Sequence, residues 1–170
     1  MTKSTPWILS SAAGSKQARA ISPSVAAQII KKAERPLVVV GAAITELEGV
    51  LIKKISQIVS LGMPLVATAH SLKYFPDRKN VHEMGIAEIT NLLTDKEWRG
   101  LDGKGSYDVV VFLGVEYWLL SLIANTLRNF TDITTLNISR YYQPNMTFSF
   151  PNITDEIWVE HLDELIGFLK

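Results

Sequence analysis

The chain has 170 residues, 17 of them basic and 17 acidic, so its formal net charge is zero. A neutral chain without a basic run lacks the positive charge that nucleic-acid binding requires. Because the chain has no cysteine, it cannot by itself hold a disulfide, a zinc–thiolate site or an iron–sulfur cluster.

The start of the sequence lacks the apolar stretch of a secretory signal, and no segment reaches the roughly 20 apolar residues of a membrane span. We therefore expect a cytoplasmic protein without contact to membranes. Residues 1–170 are predicted to form a single domain, since one domain typically takes about 100–200 residues.

Residues 1–21 show little periodicity and predict a short, irregular N-terminal arm. Ser22 and Pro23 are typical of a helix start, because serine caps helices and proline is favoured at the first helical position. The apolar run 37–41 that follows this helix predicts a strand buried on both faces, as in a parallel sheet.

The second helix is predicted to begin at Thr45, which has capping-box spacing to Glu48, and to end at Gly62. Residues 65–69 then predict another buried strand. A looser stretch leads to an amphipathic segment that contains Ile86 and Ile89.

The second half of the chain repeats this alternation of strand and helix. Residues 108–114 are the strongest strand signal, and residues 134–138 predict a further strand. Helices are predicted at about 117–129 and about 155–169. Buried strands that alternate with helices indicate a doubly wound α/β domain with a mainly parallel sheet.

In such a sheet, ligands bind beyond the carboxyl ends of the strands. Gly41 closes one strand, but the dinucleotide fingerprint would need glycines where Ala43 and Glu46 stand. The loop after this strand is therefore either a simple tight turn or a nucleotide site. If a nucleotide or flavin binds, the candidate residues at the strand ends are Gly41, Ala42, Ser71 and Gly114.

The sequence offers no convincing catalytic or metal-binding motif. The loop 100–105 contains Gly-Lys but lacks Ser or Thr after Lys104. It also precedes a strand, whereas a phosphate loop must follow one. The three histidines (His70, His82 and His161) are too scattered for a metal site.

Large aromatic residues follow the strand ends in the second half of the chain. A run such as 117–120 is apolar around a whole helical turn, so one of its faces points into an extended core or towards a partner. The candidate partner contacts are Tyr117, Trp118, Tyr141 and Tyr142.

Four segments carry a resemblance to a known family: Ala33–Gly41, Met84–Asn91, Trp98–Asp108 and Arg140–Asn145. The Gly-Leu-Asp-Gly and Arg-Tyr-Tyr-x-Pro-Asn motifs in the last two segments are the more specific pieces. Together the segments resemble the epsilon subunits of the archaeal acetyl-CoA decarbonylase/synthase complex. More distantly, the chain is similar to the NAD/FAD-binding central domain of thiamine-diphosphate enzymes, which implies a six-stranded parallel sheet.

The resemblance implies a function by association. In that complex, two alpha and two epsilon subunits form a carbon monoxide dehydrogenase component, and alpha carries the nickel–iron–sulfur chemistry. Epsilon is expected to stabilise alpha or to assist electron transfer to FAD, and it brings no catalytic residue. The sequence also allows the chain to form a homo-oligomer.

Two other functions remain open at this point. One is a free-standing FAD- or nucleotide-binding module. The other is an NAD-dependent deacylase, because residues 41–45 resemble the Gly-Ala-Gly-x-Ser loop of sirtuins, although Ala43 replaces the middle glycine.

Overall fold

The structure is a computed structural model that describes residues 17–76 and 79–170. Within these residues, seven strands form one sheet in which every pairing is parallel. The strands are β1 (Arg19–Ala20), β2 (Pro36–Val40), β3 (Leu65–Ala67), β4 (Val81–Glu83), β5 (Val109–Leu113), β6 (Thr134–Asn137) and β7 (Phe148–Ser149). Their order across the sheet is β1-β7-β6-β5-β2-β3-β4.

Helices cover both faces of this sheet. They are α1 (Pro23–Lys32), α2 (Val50–Val59), α3 (Ala69–Leu72), α4 (Ile86–Thr94), α5 (Tyr117–Phe130) and α6 (Asp155–Leu169). On one face α6 packs against α1 and α2, and on the other α4 packs against α5. This confirms the predicted doubly wound α/β fold.

The central strand β2 shows why the sheet is buried on both faces. Side chains alternate along a strand: Val38 and Val40 join the core under α1, α2 and α6, whereas Leu37 and Val39 join the core under α4 and α5. All four are at most 1% exposed. Each contributes about 1.5–3 kcal/mol of burial free energy.

The sheet has seven strands where six were expected. Strands β1 and β4 were not predicted from the sequence. Strand β1 pairs with β7 at one edge, where the Arg19 N–H donates to the Thr147 carbonyl oxygen at 3.0 Å and the Ile21 N–H to that of Ser149 at 3.0 Å. It lies within the arm predicted for residues 1–21. The rest of that arm, residues 1–16, lies outside the described residues.

The predicted start of α1 is confirmed, with Ser22 at the N-cap position and Pro23 at the first helical position. The Ser22 hydroxyl caps no backbone N–H group and instead lies 3.0 Å from the Ser24 hydroxyl. The capping box predicted at Thr45 is wrong. Two short 3₁₀ turns occupy 42–45 and 47–49, and α2 begins only at Val50. Leu47 and Gly49 have positive φ angles, which are incompatible with a right-handed α-helix. The helix therefore cannot begin before Val50.

None of the helices among residues 17–76 and 79–170 is long and apolar enough to cross a membrane.

Candidate functional site

The carboxyl ends of β2 and β5 lie side by side, at the point where the strand order reverses and parallel sheets bind ligands. The predicted site residues Gly41 and Gly114 directly follow these two strands. The Gly41 N–H donates to the Leu113 carbonyl oxygen at 3.0 Å, and the Ala43 N–H donates to the Gly114 carbonyl oxygen at 2.9 Å. The structure therefore brings Gly41, Ala42 and Gly114 together.

The two glycines allow the chain to pack against itself at this edge. A Cβ atom on Gly41 would lie 2.4 Å from the Gly114 carbonyl oxygen. Gly114 has a φ of +65°, and a Cβ atom there would lie 2.5 Å from Cγ2 of Ile44. The space beside each of the two glycines is thus occupied by backbone or by the buried Ile44 side chain.

Ser71 lies in the short helix α3, which packs beside residues 42–45. It is fully buried. Its hydroxyl lies 2.8 Å from the Thr68 hydroxyl and donates to the Thr68 carbonyl oxygen at 3.1 Å. Ser71 therefore fastens its own turn, and the neighbouring His70 is exposed to solvent.

A cavity of about 110 Å³ remains beside Gly114, between Arg140 and Trp158. Pockets for cofactors and drug-sized ligands measure about 300–1,000 Å³. The Arg140 guanidinium forms ion pairs with Asp155 and, at 3.8 Å, with Glu46, so its charge is compensated within the chain. These residues, as arranged, do not fit a dinucleotide such as FAD.

The side chains that could bind a metal ion do not cluster in the described part of the chain. Among the residues that the structure describes, no three His, Cys, Asp or Glu side chains lie close enough together to hold a metal ion.

Three partly buried hydrogen bonds join the loop Arg140–Asn145 to the start of α5. The Tyr117 hydroxyl donates to the Tyr142 carbonyl oxygen at 3.0 Å, and the fully buried Gln143 donates from Nε2 to the Tyr117 carbonyl oxygen at 3.3 Å. Asn145 donates from Nδ2 to the Ser121 hydroxyl at 3.0 Å. The loop and the first turns of α5 therefore form one rigid unit.

Tyr142 is part of the core. Its side chain is 2% exposed, and its hydroxyl donates to the Ala18 carbonyl oxygen at 2.6 Å. The predicted partner contact at Tyr142 is therefore wrong. A tyrosine can be buried in this way because its hydroxyl still finds an acceptor while the ring packs against apolar neighbours.

The other predicted contacts lie at the surface. Trp118 is 64% exposed and Tyr141 is 38% exposed. The half-buried Tyr117 ring meets the Tyr141 ring edge-on at a centroid distance of 6.4 Å, and the Arg140 guanidinium lies 4.7 Å from the centre of the Tyr141 ring. Tyr117, Trp118 and Tyr141 form an aromatic surface beside the carboxyl edge.

This surface continues along α5 through two exposed residues that were not predicted from the sequence. Leu122 is 61% exposed and Phe130 is 69% exposed. The i, i+4 spacing of Leu122 from Trp118 was an available signal, because such residues share one helix face.

The family described as "CO dehydrogenase beta subunit/acetyl-CoA synthase epsilon subunit" matches residues 1–166. The chain belongs to this family. Proteins named acetyl-CoA decarbonylase/synthase complex subunit epsilon are similar over almost their whole length. That of Methanothrix soehngenii is 39% identical, over 97% of this chain and 91% of the relative. That of Methanothermobacter thermautotrophicus is 38% identical, over 94% and 93%.

The Gly-Leu-Asp-Gly motif of the epsilon-subunit resemblance lies at the other end of the sheet. The loop 100–105 precedes β5, so it lies at the amino end of the sheet. Arg35 forms a bidentate ion pair with Asp102, at 2.5 and 3.3 Å, and stacks on Tyr107 at 5.1 Å. The hydrogen bond from Arg35 holds the pKa of the Asp102 carboxyl below its usual value. This epsilon-subunit motif therefore lies at the amino end of the sheet, opposite the candidate site at the carboxyl end.

Proposed function

We propose that this chain is the non-catalytic epsilon subunit of an acetyl-CoA decarbonylase/synthase complex, in which it binds and stabilises the alpha subunit of the carbon monoxide dehydrogenase component. The match of residues 1–166 to the family carries the proposal, and the names of relatives at 39% and 38% identity support it. A cytoplasmic location belongs to the same proposal.

The chemistry of the chain agrees with a supporting role. Because the sequence has no cysteine, the thiolates of a nickel–iron–sulfur centre have to come from another chain. What the chain offers instead is a surface: Trp118 and Tyr141 are exposed, and Tyr and Trp are the residue types favoured at interface centres.

Assistance in electron transfer to FAD stays a prediction. We favour stabilisation of alpha over flavin binding by this chain alone, because the strand ends at Gly41 and Gly114 are packed against each other. No step through FAD is derived from these residues.

The proposal is tested by capture from a native extract of the source organism. The tagged chain should retain a large subunit that contains nickel and iron by metal analysis, whereas the tag alone should not. Capture of no such subunit would contradict the proposed function.

A second experiment tests whether epsilon stabilises alpha. The carbon monoxide oxidation activity of alpha should survive heating longer in the complex than after removal of epsilon. Equal half-lives would contradict the stabilising role while leaving the association intact.

A further inference from the structure

The outward side of α5 carries no charged side chain. With 3.6 residues per turn, five residues of this helix share its outward side, and together with the exposed Phe130 at the rim they are called the α5 outer face below. They are Trp118, Leu122, Asn125, Thr126, Asn129 and Phe130. The single charged residue of the helix, Arg128, lies about a quarter turn from the centre of this side and is half-buried, with its Nη1 atom buried.

The polar residues of the α5 outer face bond to their own helix. The Thr126 hydroxyl donates to the Leu122 carbonyl oxygen at 3.0 Å. Asn129 donates from Nδ2 to the Asn125 carbonyl oxygen at 2.8 Å and to its side-chain oxygen at 3.0 Å. Because these donors are already satisfied, removing water from this face leaves no donor of Thr126 or Asn129 unpaired.

The face is also held rigidly. Gln143 and Asn145 bond to Tyr117 and Ser121, which lie in the same turns of the helix as Trp118. A surface that is ordered before binding loses little conformational entropy on association.

The helix α6, on the opposite face of the sheet, provides a comparison. It too exposes large apolar side chains, Ile157 at 41% and Phe168 at 51%. However, its exposed positions also include Glu156, Glu160, Asp163 and Glu164. Such a surface is a solvated face with isolated apolar residues, which is ordinary for a globular protein. The α5 outer face differs because it combines apolar exposure with the absence of charge.

The size of the α5 outer face bears on what covers it. One aromatic side chain buries about 150–250 Å², so the whole face offers on the order of 500 Å². A stable complex takes about 800 Å² from each partner. A symmetric pair of α5 helices that buried only this face would fall short of that area. The partner therefore also has to cover surface beside the face, such as that of Tyr141, which is within the reach of a larger chain.

We infer that the α5 outer face is the centre of the contact with the alpha subunit, and that alpha covers it with uncharged, apolar surface. The inference rests on the proposed function for the identity of the partner. We expect the partner surface to be uncharged because the α5 outer face carries no charged side chain. A charged group of alpha that was buried here would have no counter-charge, and its burial would be strongly unfavourable.

The test measures binding of purified alpha to the full-length chain and to surface variants. Trp118→Ala should weaken binding about thirty-fold, as expected for an interface anchor. Leu122→Glu should abolish it, because an unpaired carboxylate would be buried. The matched control is Phe168→Ala on α6, which should bind as the wild type does. All three variants should melt as the wild type does, since exposed substitutions change stability little.

Salt dependence tests the chemistry of the contact. Affinity should change less than about threefold between about 50 and 500 mM salt, because no ion pair of this face is screened. A steep loss of affinity with salt would overturn the inference of an uncharged partner surface.

The possible failures are distinguishable. If the wild type does not bind alpha, the proposed function fails. If the wild type binds and Trp118→Ala and Leu122→Glu bind equally well, the inference about the α5 outer face is wrong and the function stands. If the wild type is a dimer by sedimentation and Leu122→Glu is a monomer, a second copy covers this face and the inference is overturned.

Discussion

The Tyr142 hydroxyl donates a 2.6 Å hydrogen bond to the carbonyl oxygen of Ala18, which lies 124 positions earlier in the chain. The Ala18 N–H in turn donates to the Pro144 carbonyl oxygen at 2.9 Å. The loop Arg140–Asn145 therefore holds the entry to β1 on one side and the start of α5 on the other. Its role in this chain is to position both elements.

Tyr142→Phe should destabilise the chain by about 1–2 kcal/mol, because it removes a buried hydrogen bond and leaves the Ala18 carbonyl oxygen without this donor. Urea unfolding measures the loss. The matched control is Tyr141→Phe, at the exposed neighbour, which should change stability by less than about 0.5 kcal/mol. Equal effects of the two substitutions would contradict the role assigned to the Tyr142 hydroxyl.

Gly114→Ala should cost about 2–5 kcal/mol, because a side chain there is strained at positive φ and also collides with Ile44. Gly103→Ala is the matched control. Gly103 has a φ of +73° but no atom within 4 Å of an added Cβ. The free energy of unfolding of Gly103→Ala should therefore fall only by the cost of the unfavourable backbone conformation, about 1–2 kcal/mol. The difference in unfolding free energy between the two variants measures the packing. Equal losses would mean that the edge relaxes around a side chain at Gly114.

Much of this fold could be predicted from the sequence because its strongest signals are local. The apolar runs of β2 and β5 and the Ser22-Pro23 helix start act through neighbouring residues, and the structure confirms them. Short strands such as β1 and β4 have two or three residues and thus no periodicity to detect. Their existence depends on the edge that the rest of the sheet offers.

The site was harder to predict because contacts between distant residues determine it. Gly41 and Gly114 were correctly placed at the strand ends, but the sequence could not show that each fills the space beside the other. Likewise, nothing local distinguishes Tyr141 from Tyr142. The structure buries the Tyr142 ring, whose hydroxyl reaches the Ala18 carbonyl oxygen, and leaves the Tyr141 ring against Arg140 at the surface.

The isolated chain should not bind added FAD. The backbone N–H groups of Gly41 and Ala43 already donate within the chain, and the adjoining cavity of about 110 Å³ is below the size range of cofactor pockets. We expect the fluorescence of added FAD to be unchanged by the purified protein. Stoichiometric quenching would show that the edge opens, and would restore the flavin-binding module as a candidate function.

The acid sensitivity of the chain should depend on His161. This side chain meets the Phe150 ring edge-on at 5.3 Å, and its Nδ1 atom is buried without a hydrogen-bond partner among the described residues. Burial lowers the pKa of His161, against the opposing effect of Glu164 and Glu160.

Because the folded-state pKa is lower than the value of about 6.5 in the unfolded chain, the unfolded state binds the proton first as the pH falls. The contribution of His161 to stability is therefore present above about pH 6.5 and is lost progressively below it, down to the folded-state pKa. His161→Phe keeps a ring against Phe150 and removes the titration. Its melting temperature should fall less than that of the wild type between about pH 7.5 and 5.5, whereas His70→Phe, at an exposed position, should follow the wild type. If His161→Phe and the wild type lose stability in parallel over this range, the acid sensitivity arises from other groups.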